Sequence, residues 1–134
     1  AKHYWKKELN YIGYGGQGKQ VRDILHISDL FELLDKQINN FSVYNSKTFN
    51  VGGGNGVSVS LKELTELCNE ITGNKIPINA VLENRPADIP IYITDNRKIE
   101  KISGWRPKTN PKEIILDTFN WIKANESILQ NIFS

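Results

Sequence analysis

The segment Gly13–Asp29 constrains the fold of this 134-residue chain most strongly, because glycines, an arginine in an apolar run and a helix start follow one another there. Glycine allows the backbone to reverse tightly or to approach a ligand closely. Arg22 lies in the apolar run, and an arginine held by a half-buried strand can donate to phosphate oxygens in a fixed geometry. We therefore interpret the segment as one wall of a site for a phosphate-bearing ligand.

These glycines match two nucleotide-binding motifs as strings but not in their context. Gly13–Gly18 has the spacing of the dinucleotide fingerprint, and it also fits the phosphate loop except that Gln20 follows where Ser or Thr is required. Both motifs need a helix directly after the glycines, whereas Val21–His26 has the pattern of a strand. The sequence instead predicts a glycine-rich hairpin between strands Leu9–Ile12 and Val21–His26.

Composition limits the chain to one domain with a modest core. The net charge of +2 predicts no general attraction to nucleic acid or to membranes, and no apolar run approaches a membrane-spanning length. The single cysteine, Cys68, cannot form an internal disulfide and fits a reducing, cytoplasmic compartment. The chain lacks methionine and begins in what looks like the end of a helix over Lys2–Glu8. We therefore expect an internal or C-terminal piece of a longer protein.

Helix and strand signals alternate along the rest of the chain. Helices are expected after Ser28 or Asp29, after the capping box that begins at Ser60, after Thr94 or Asp95, and after Asn110. Further strands are expected over Thr48–Val51, Ile76–Leu82 and Ile89–Ile93. Phe41–Lys47 is expected to be a polar connection, and Asn125–Ser134 is either a frayed tail or a last short helix. Trp121 is expected in the buried stripe of the helix after Asn110. The predicted fold class is α/β, a small mixed domain of short strands and roughly three or four helices.

Arg22 and Arg85 carry the strongest functional signal, since each lies beside turn residues. Two guanidinium groups that converge on a diphosphate would make several charge-assisted hydrogen bonds, each contributing about 1.5–3 kcal/mol. The residues alone leave an alternative open, in which Arg22 pairs with Asp23 or Asp29 and Arg85 pairs with Asp88.

No catalytic or metal-binding set is predicted. His26 lies in an apolar run and is interpreted as a core histidine, and Cys68 as a small core residue. The histidines, acids and cysteine lack the spacing of metal ligands, and none of the 5 tyrosines begins a Tyr-x-x-x-Lys motif. The residues by themselves therefore indicate a binding domain for a phosphorylated molecule.

Four segments resemble a known family, the extended short-chain dehydrogenase/reductases that act on nucleotide sugars as epimerases and dehydratases. Gly18–Leu30 resembles the RD-x-x-H-x-x-D segment of that family. Phe49–Gly54 and Ser60–Leu64 resemble its next segment, Arg85–Asp95 resembles RPGD…D, and Gly104–Thr109 resembles GW-x-P-x-T. The order of the segments is that of the C-terminal part of the family, and the details are most similar to its CDP-sugar 2-epimerases.

The resemblance implies the substrate domain of a Rossmann-type epimerase. It implies substrate-binding roles for Val21, Arg22, Arg85 and Asp88: the arginines at the diphosphate, Asp88 near the ribose and Val21 beside the nucleotide. Ala87 stands where the family has Gly, which could alter the loop near Asp88.

The resemblance also implies a cofactor and partners. NAD and a Ser/Thr–Tyr–Lys set would be carried by an N-terminal Rossmann domain that this chain lacks, so no cofactor-binding residue is predicted here. The implied reaction is a transient oxidation and reduction of a sugar carbon. The expected partners are a nucleotide diphosphate sugar, the chain's own N-terminal Rossmann domain and, in some assemblies, further copies of the enzyme. A 4-epimerase, a 4,6-dehydratase and a non-catalytic binding module remain as alternatives.

Overall fold

The computed structural model describes residues 1–133 and arranges them as two small β-sheets with helices around them. The strands are β1 Leu9–Ile12, β2 Val21–Asp23, β3 Ser58–Ser60, β4 Ile78–Val81 and β5 Ile91–Tyr92. The helices are α1 Ile27–Asn39, α2 Phe41–Tyr44, α3 Leu61–Thr72, α4 Arg97–Ser103, α5 Pro111–Ala124 and α6 Glu126–Phe133. The mixed α/β class is confirmed. Helix α2 occupies a segment that was expected to be a connection, and α6 confirms the short-helix alternative for the last segment.

The predicted glycine hairpin is wrong, because β1 and β2 lie in different sheets. β1 pairs in parallel with β4, whereas β2 lies between β3, to which it is antiparallel, and β5, to which it is parallel. Both partners of β2 come from far along the chain. A local pattern of glycines predicts a turn, but it does not reveal which strands pair across long sequence separations.

The glycine turn instead crosses from one sheet to the other in close contact with the first. A Cβ on Gly16 would lie 2.6 Å from the Cβ of Ala80, and a Cβ on Gly18 would lie 2.6 Å from the ring of Tyr11. Both glycines also have a positive φ, of 64° and 66°, which other residues rarely adopt. The turn therefore requires glycine for close packing and for its backbone conformation.

The best-buried part of the core lies between α1, α4 and the segment that follows α4. Leu33, Ile99 and Trp105 are almost completely buried there. The indole of Trp105 donates to the carbonyl oxygen of Asp29 at 2.9 Å. The carboxylate of Asp29 accepts from the backbone of Lys108 at 3.1 Å and of the next residue at 3.0 Å. Asp29 therefore ties the first turn of α1 to the chain after Trp105.

The predicted first and last residues of several helices are confirmed, and the predicted cap of one helix is wrong. Ser60 and Asn110 both form capping boxes, at the starts of α3 and α5. Gly73 and Gly104 end α3 and α4 in the left-handed conformation. The cap of α1, however, is His26, whose ring accepts a hydrogen bond from the backbone of the second helical residue.

Three other expectations are wrong. Lys2–Glu8 forms turns and not a helix, and Lys6 there has a φ of 53°. Thr48–Val51 has no strand partner among residues 1–133. Trp121, expected in the buried stripe of α5, is 57% exposed.

Alanine in place of Gly53 tests how closely the glycine segment before β3 packs against β2. A Cβ there would meet the carbonyl oxygen of Ile24, which is backbone and cannot rotate away. We expect Gly53→Ala to lower the free energy of unfolding by about 1–3 kcal/mol or more. Gly56→Ala is the matched control, because nothing lies within 4 Å of a Cβ at that position. Equal losses for both variants in urea unfolding would contradict this packing.

Candidate functional site

Strand β2 presents Arg22 from the middle of the three-stranded sheet. Its backbone is fixed by pairing with β3 and β5. The guanidinium donates through Nη1 to the carbonyl oxygen of Val21 at 2.7 Å, and through Nη2 to Asp88 Oδ1 at 2.8 Å and to the carbonyl oxygen of Ile89 at 2.9 Å. The side chain is 40% exposed, so part of it is accessible to a ligand.

The loop before β5 supplies Arg85 and Asp88. Its turn is closed by a hydrogen bond from the backbone N–H of Asp88 to the carbonyl oxygen of Arg85 at 3.2 Å. Ala87 has a φ of 60°, the left-handed conformation that favours glycine. Alanine therefore occupies the backbone conformation that suits the family's glycine, and a tight turn is still made.

The glycine turn after β1 holds this loop from the other side. Tyr14 donates through its hydroxyl to the carbonyl oxygen of Asp88 at 2.6 Å, and through its backbone N–H to Asn84 Oδ1 at 2.7 Å. Tyr14 therefore links two loops at the site.

Arg22, Arg85 and Asp88 line one pocket of about 220 Å³. The polar part of its lining is completed by three side chains from other elements, Asn10, Gln20 and Ser60. The apolar part comes from β1, the residue after β2, β3 and the first turn of α3: Ile12, Ile24, Val59, Leu61 and Leu64. The pocket therefore combines an apolar wall with two arginines and one carboxylate.

The two arginines differ in their ion pairs. Arg22 pairs with Asp88, and not with Asp23 or Asp29 as the alternative held. Within residues 1–133, no ion pair is found for Arg85. Asp88 uses Oδ1 for both of its side-chain hydrogen bonds, to Arg22 and to the next backbone N–H. Its Oδ2 has no hydrogen bond in the described part of the chain.

Val21 does not line this pocket. Its backbone N–H donates to the carbonyl oxygen of Pro90 at 2.9 Å, and its own carbonyl oxygen accepts from Arg22. Sequence reasoning missed Asn10, Gln20 and Ser60 as lining residues. Gln20 donates through Nε2 to the carbonyl oxygen of Ile12 at 2.6 Å, a contact between two sheets that no local pattern indicates.

Asp23, next to Arg22, anchors the glycine segment behind the site. Its Oδ2 accepts from the backbone N–H of Gly54 at 2.9 Å. Burial raises the pKa of Asp23, but hydrogen bonds from Gly54 and Thr94 outweigh it, so the pKa lies below the ordinary value of 3.8. The ionised carboxylate therefore stabilises this part of the fold.

The other candidates serve the fold. His26 caps α1 and lies 3.2 Å from Asp117 on α5. Cys68 is half-buried on α3, and burial raises the pKa of its thiol. No group of three or more potential metal ligands is found in the described residues. None of the helices described is both long and apolar enough to cross a membrane.

The described residues do not fit NAD. Gly13–Gly18 leads into β2, and the glycines at Gly52–Gly56 lead into a short 3₁₀ turn and β3. Neither cluster opens directly onto an α-helix whose N-terminus could hold a pyrophosphate. No step of NAD chemistry is therefore assigned to this chain.

Comparison with known proteins identifies relatives of the chain. The profile of the family described as GDP-mannose 4,6 dehydratase matches residues 4–118. CDP-paratose 2-epimerase from Salmonella typhi is 32% identical over 114 residues, which cover 81% of this chain and 32% of that protein. UDP-glucose 4-epimerase from Corynebacterium glutamicum is 32% identical over 108 residues, which cover 80% of this chain and 32% of that protein.

The fold is also found in solved structures. UDP-glucuronic acid 4-epimerase from Bacillus cereus, in complex with UDP-glucuronic acid and NAD, matches with a TM-score of 0.79 and 19% identity. The match covers 92% of this chain and 37% of that one. The chain thus spans about a third of the length of the curated relatives it matches.

The lowered pKa of Asp23 predicts an acid-dependent loss of stability. A carboxylate whose pKa is lower in the folded state stabilises the fold above its unfolded pKa, and this contribution is lost as the pH falls through the folded pKa. We expect the wild-type chain to lose stability as the pH falls below about 4, and Asp23→Asn to lose less over that range while being less stable at pH 7.

Urea unfolding between pH 7 and pH 2 measures both effects. Thr94→Val removes one donor to Asp23 and should give an intermediate acid dependence. Identical acid dependence in the wild type and in Asp23→Asn would contradict the assignment.

Proposed function

The chain belongs to the GDP-mannose 4,6-dehydratase family of extended short-chain dehydrogenase/reductases, and we propose that it is the nucleotide-sugar-binding part of an NAD-dependent epimerase. The observation that carries the proposal is that Arg22 and Arg85 line one pocket with Asp88. These residues come from two elements far apart in the sequence. Two arginines on one pocket can bind the oxygens of a diphosphate through charge-assisted hydrogen bonds.

Each part of the pocket has a matching part of the proposed ligand. The diphosphate lies between Arg22 and Arg85, because Arg85 is without an ion pair in the described residues and the Arg22 side chain is 40% exposed. Asp88 accepts a ribose hydroxyl through Oδ2, while Oδ1 keeps Arg22 in place. Val21 takes part through its backbone, which orients Arg22.

The size of the pocket supports a site shared with another domain. Its volume of about 220 Å³ is below the roughly 300–1,000 Å³ of complete small-molecule sites. We propose that an N-terminal Rossmann domain, corresponding to part of the length that the relatives have and this chain does not span, binds NAD and completes the sugar site. The chain would then position the substrate and would not turn it over alone.

The most specific form of the proposal is a cytoplasmic CDP-paratose 2-epimerase, which inverts C2 of the sugar. The resemblance of the sequence segments and a relative of that name at 32% identity favour it. A UDP-glucose 4-epimerase has the same 32% sequence identity to this chain. A UDP-sugar 4-epimerase or a 4,6-dehydratase is therefore the alternative. A non-catalytic module would need no docking face, whereas α1 exposes a row of large apolar side chains.

Calorimetry with CDP tests the site. We expect Arg85→Ala to weaken CDP binding about 10- to 150-fold, because it removes charge-assisted hydrogen bonds of about 1.5–3 kcal/mol. Arg22→Ala should weaken binding at least as much, since it also leaves Asp88 without its partner. Cytidine lacks the diphosphate, so Arg85→Ala should weaken the binding of cytidine far less than the binding of CDP.

Arg97→Ala is the matched control for this experiment. Arg97 is an arginine on α4 that pairs with Asp95, is 89% exposed and lies outside the pocket. Its removal should change CDP affinity less than about twofold. Unchanged CDP binding by the double variant Arg22→Ala/Arg85→Ala would overturn the site, and tighter binding of UDP than of CDP would favour the alternative substrates.

A further inference from the structure

Gln20, the residue directly before β2, is fixed through both its backbone and its side chain. Its carbonyl oxygen accepts from the backbone N–H of Leu61, the first residue of α3, at 3.0 Å. Its Nε2 donates to the carbonyl oxygen of Ile12 in β1 at 2.6 Å. A carbonyl oxygen can only accept, so the nitrogen of the Gln20 amide has to face Ile12. The position of the amide oxygen, Oε1, is thereby settled as well.

The acceptor of this amide has no donor. Oε1 of Gln20 is buried and makes no hydrogen bond within residues 1–133. Among the described residues that line the pocket of Arg22, Arg85 and Asp88, Gln20 alone has a buried side-chain atom of this kind. A buried acceptor without a donor is destabilising, and such atoms are rare in native proteins. Because Gln20 lines the ligand pocket, a donor on the ligand accounts for the unpaired oxygen.

The other polar side chains of the lining that come from outside the arginine loop have their acceptors in use. Asn10 Oδ1 accepts from Asn79 Nδ2 at 3.2 Å. Ser60 Oγ accepts from the backbone N–H of Glu63 at 3.1 Å and donates to its carboxylate at 2.7 Å, as part of the capping box. The free acceptor on this side of the pocket is therefore the oxygen of Gln20.

The position of Gln20 suits the base of a nucleotide. Gln20 precedes Arg22 by two residues, a separation of about 6–7 Å in extended chain. Its two hydrogen-bonded neighbours, Ile12 and Leu61, belong to the apolar part of the lining. A nucleotide has its parts in the same order, since the charged diphosphate is followed by the ribose and then by a flat ring with apolar faces and a polar edge. With the diphosphate at Arg22, the base reaches Gln20.

We propose that Gln20 determines which base the site accepts, by accepting a hydrogen bond through Oε1 from the exocyclic 4-amino group of cytosine. The proposal rests on the proposed function and names the residue that separates a cytosine nucleotide from a uracil nucleotide. Uracil has a carbonyl oxygen at position 4, and two acceptors that face each other form no hydrogen bond. A base without the amino group leaves the buried oxygen of Gln20 unpaired, which is the arrangement that gives a binding site its discrimination.

Calorimetry of the 134-residue chain with three nucleoside diphosphates tests the proposal. They are CDP, UDP and the diphosphate of 2-pyrimidinone riboside, whose ring is that of cytosine without the 4-amino group. We expect CDP to bind at least about tenfold more tightly than either of the others. Equal affinities for CDP and the 2-pyrimidinone nucleotide would overturn the proposal. Tighter binding of UDP than of CDP would overturn it as well, because Oε1 would then accept from the ring N–H of uracil.

Gln20→Leu removes the amide and keeps a side chain of similar size. We expect it to weaken CDP binding about tenfold and to bring the affinities for CDP and the 2-pyrimidinone nucleotide within about twofold of each other. A purely structural role of Gln20, through its contact with Ile12, would instead weaken all three ligands equally and contradict the proposal. Gln17→Leu is the matched control, because Gln17 is an exposed glutamine of the same turn outside the pocket, and it should change no affinity. If Gln20→Leu does not fold, the wild-type comparison of the three ligands still decides.

The same measurements separate this proposal from the proposed function. Arg85→Ala should weaken CDP and UDP by the same factor and leave their ratio unchanged, because Arg85 acts on the diphosphate that both share. Binding of all three nucleotides with equal affinity would keep the proposed function and overturn the role of Gln20 alone. Failure of the wild-type chain to bind any of the three would overturn the proposed function and, with it, the role of Gln20.

Discussion

The ion pair between Arg22 and Asp88 connects the two halves of the site. Arg22 is fixed by the central strand of the three-stranded sheet. Asp88 is fixed by its loop, whose turn is closed by a backbone hydrogen bond. Arg22 Nη2 lies 2.8 Å from Asp88 Oδ1. The same nitrogen also donates to the carbonyl oxygen of Ile89, which holds the guanidinium in place. Tyr14 supports the loop from the opposite side. The position of Arg85, and therefore the shape of the pocket, depends on these contacts, since Arg85 belongs to the loop and makes no ion pair of its own in the described residues.

The sequence predicted the parts of the fold that depend on neighbours in the chain. The capping boxes at Ser60 and Asn110 are set by residues within one turn, so both helix starts were predictable. The glycine hairpin was not, because β1 takes its partner, β4, from far along the chain, and the long separation leaves no local pattern. His26 shows the same limit: it was read as the end of a strand, but its ring caps the helix and reaches Asp117 on α5.

The candidate site was predictable to a similar degree. Arg22 and Arg85 stand out in the sequence because each is a strong donor beside turn residues, and the structure brings them to one pocket. Gln20 and Tyr14 do not stand out, since their contacts at the site bridge separate elements. At Ala87 the sequence was misleading, because an alanine in place of a glycine suggested an altered loop. In the structure Ala87 has a φ of 60°, a conformation typical of glycine, and the turn is closed by its hydrogen bond.

The one strand that the sequence predicted and the structure does not pair is the most informative disagreement. Residues of Thr48–Val51 favour a strand, and they alternate between buried and exposed as a strand does. A natural sequence is usually consistent across local preference, packing and pairing. Here local preference and packing agree, and only the pairing with a neighbouring strand is missing within residues 1–133. The exposed apolar side chains of α1, among them Ile27, Phe31 and Ile38, show the same imbalance, because the described residues provide no surface that buries them.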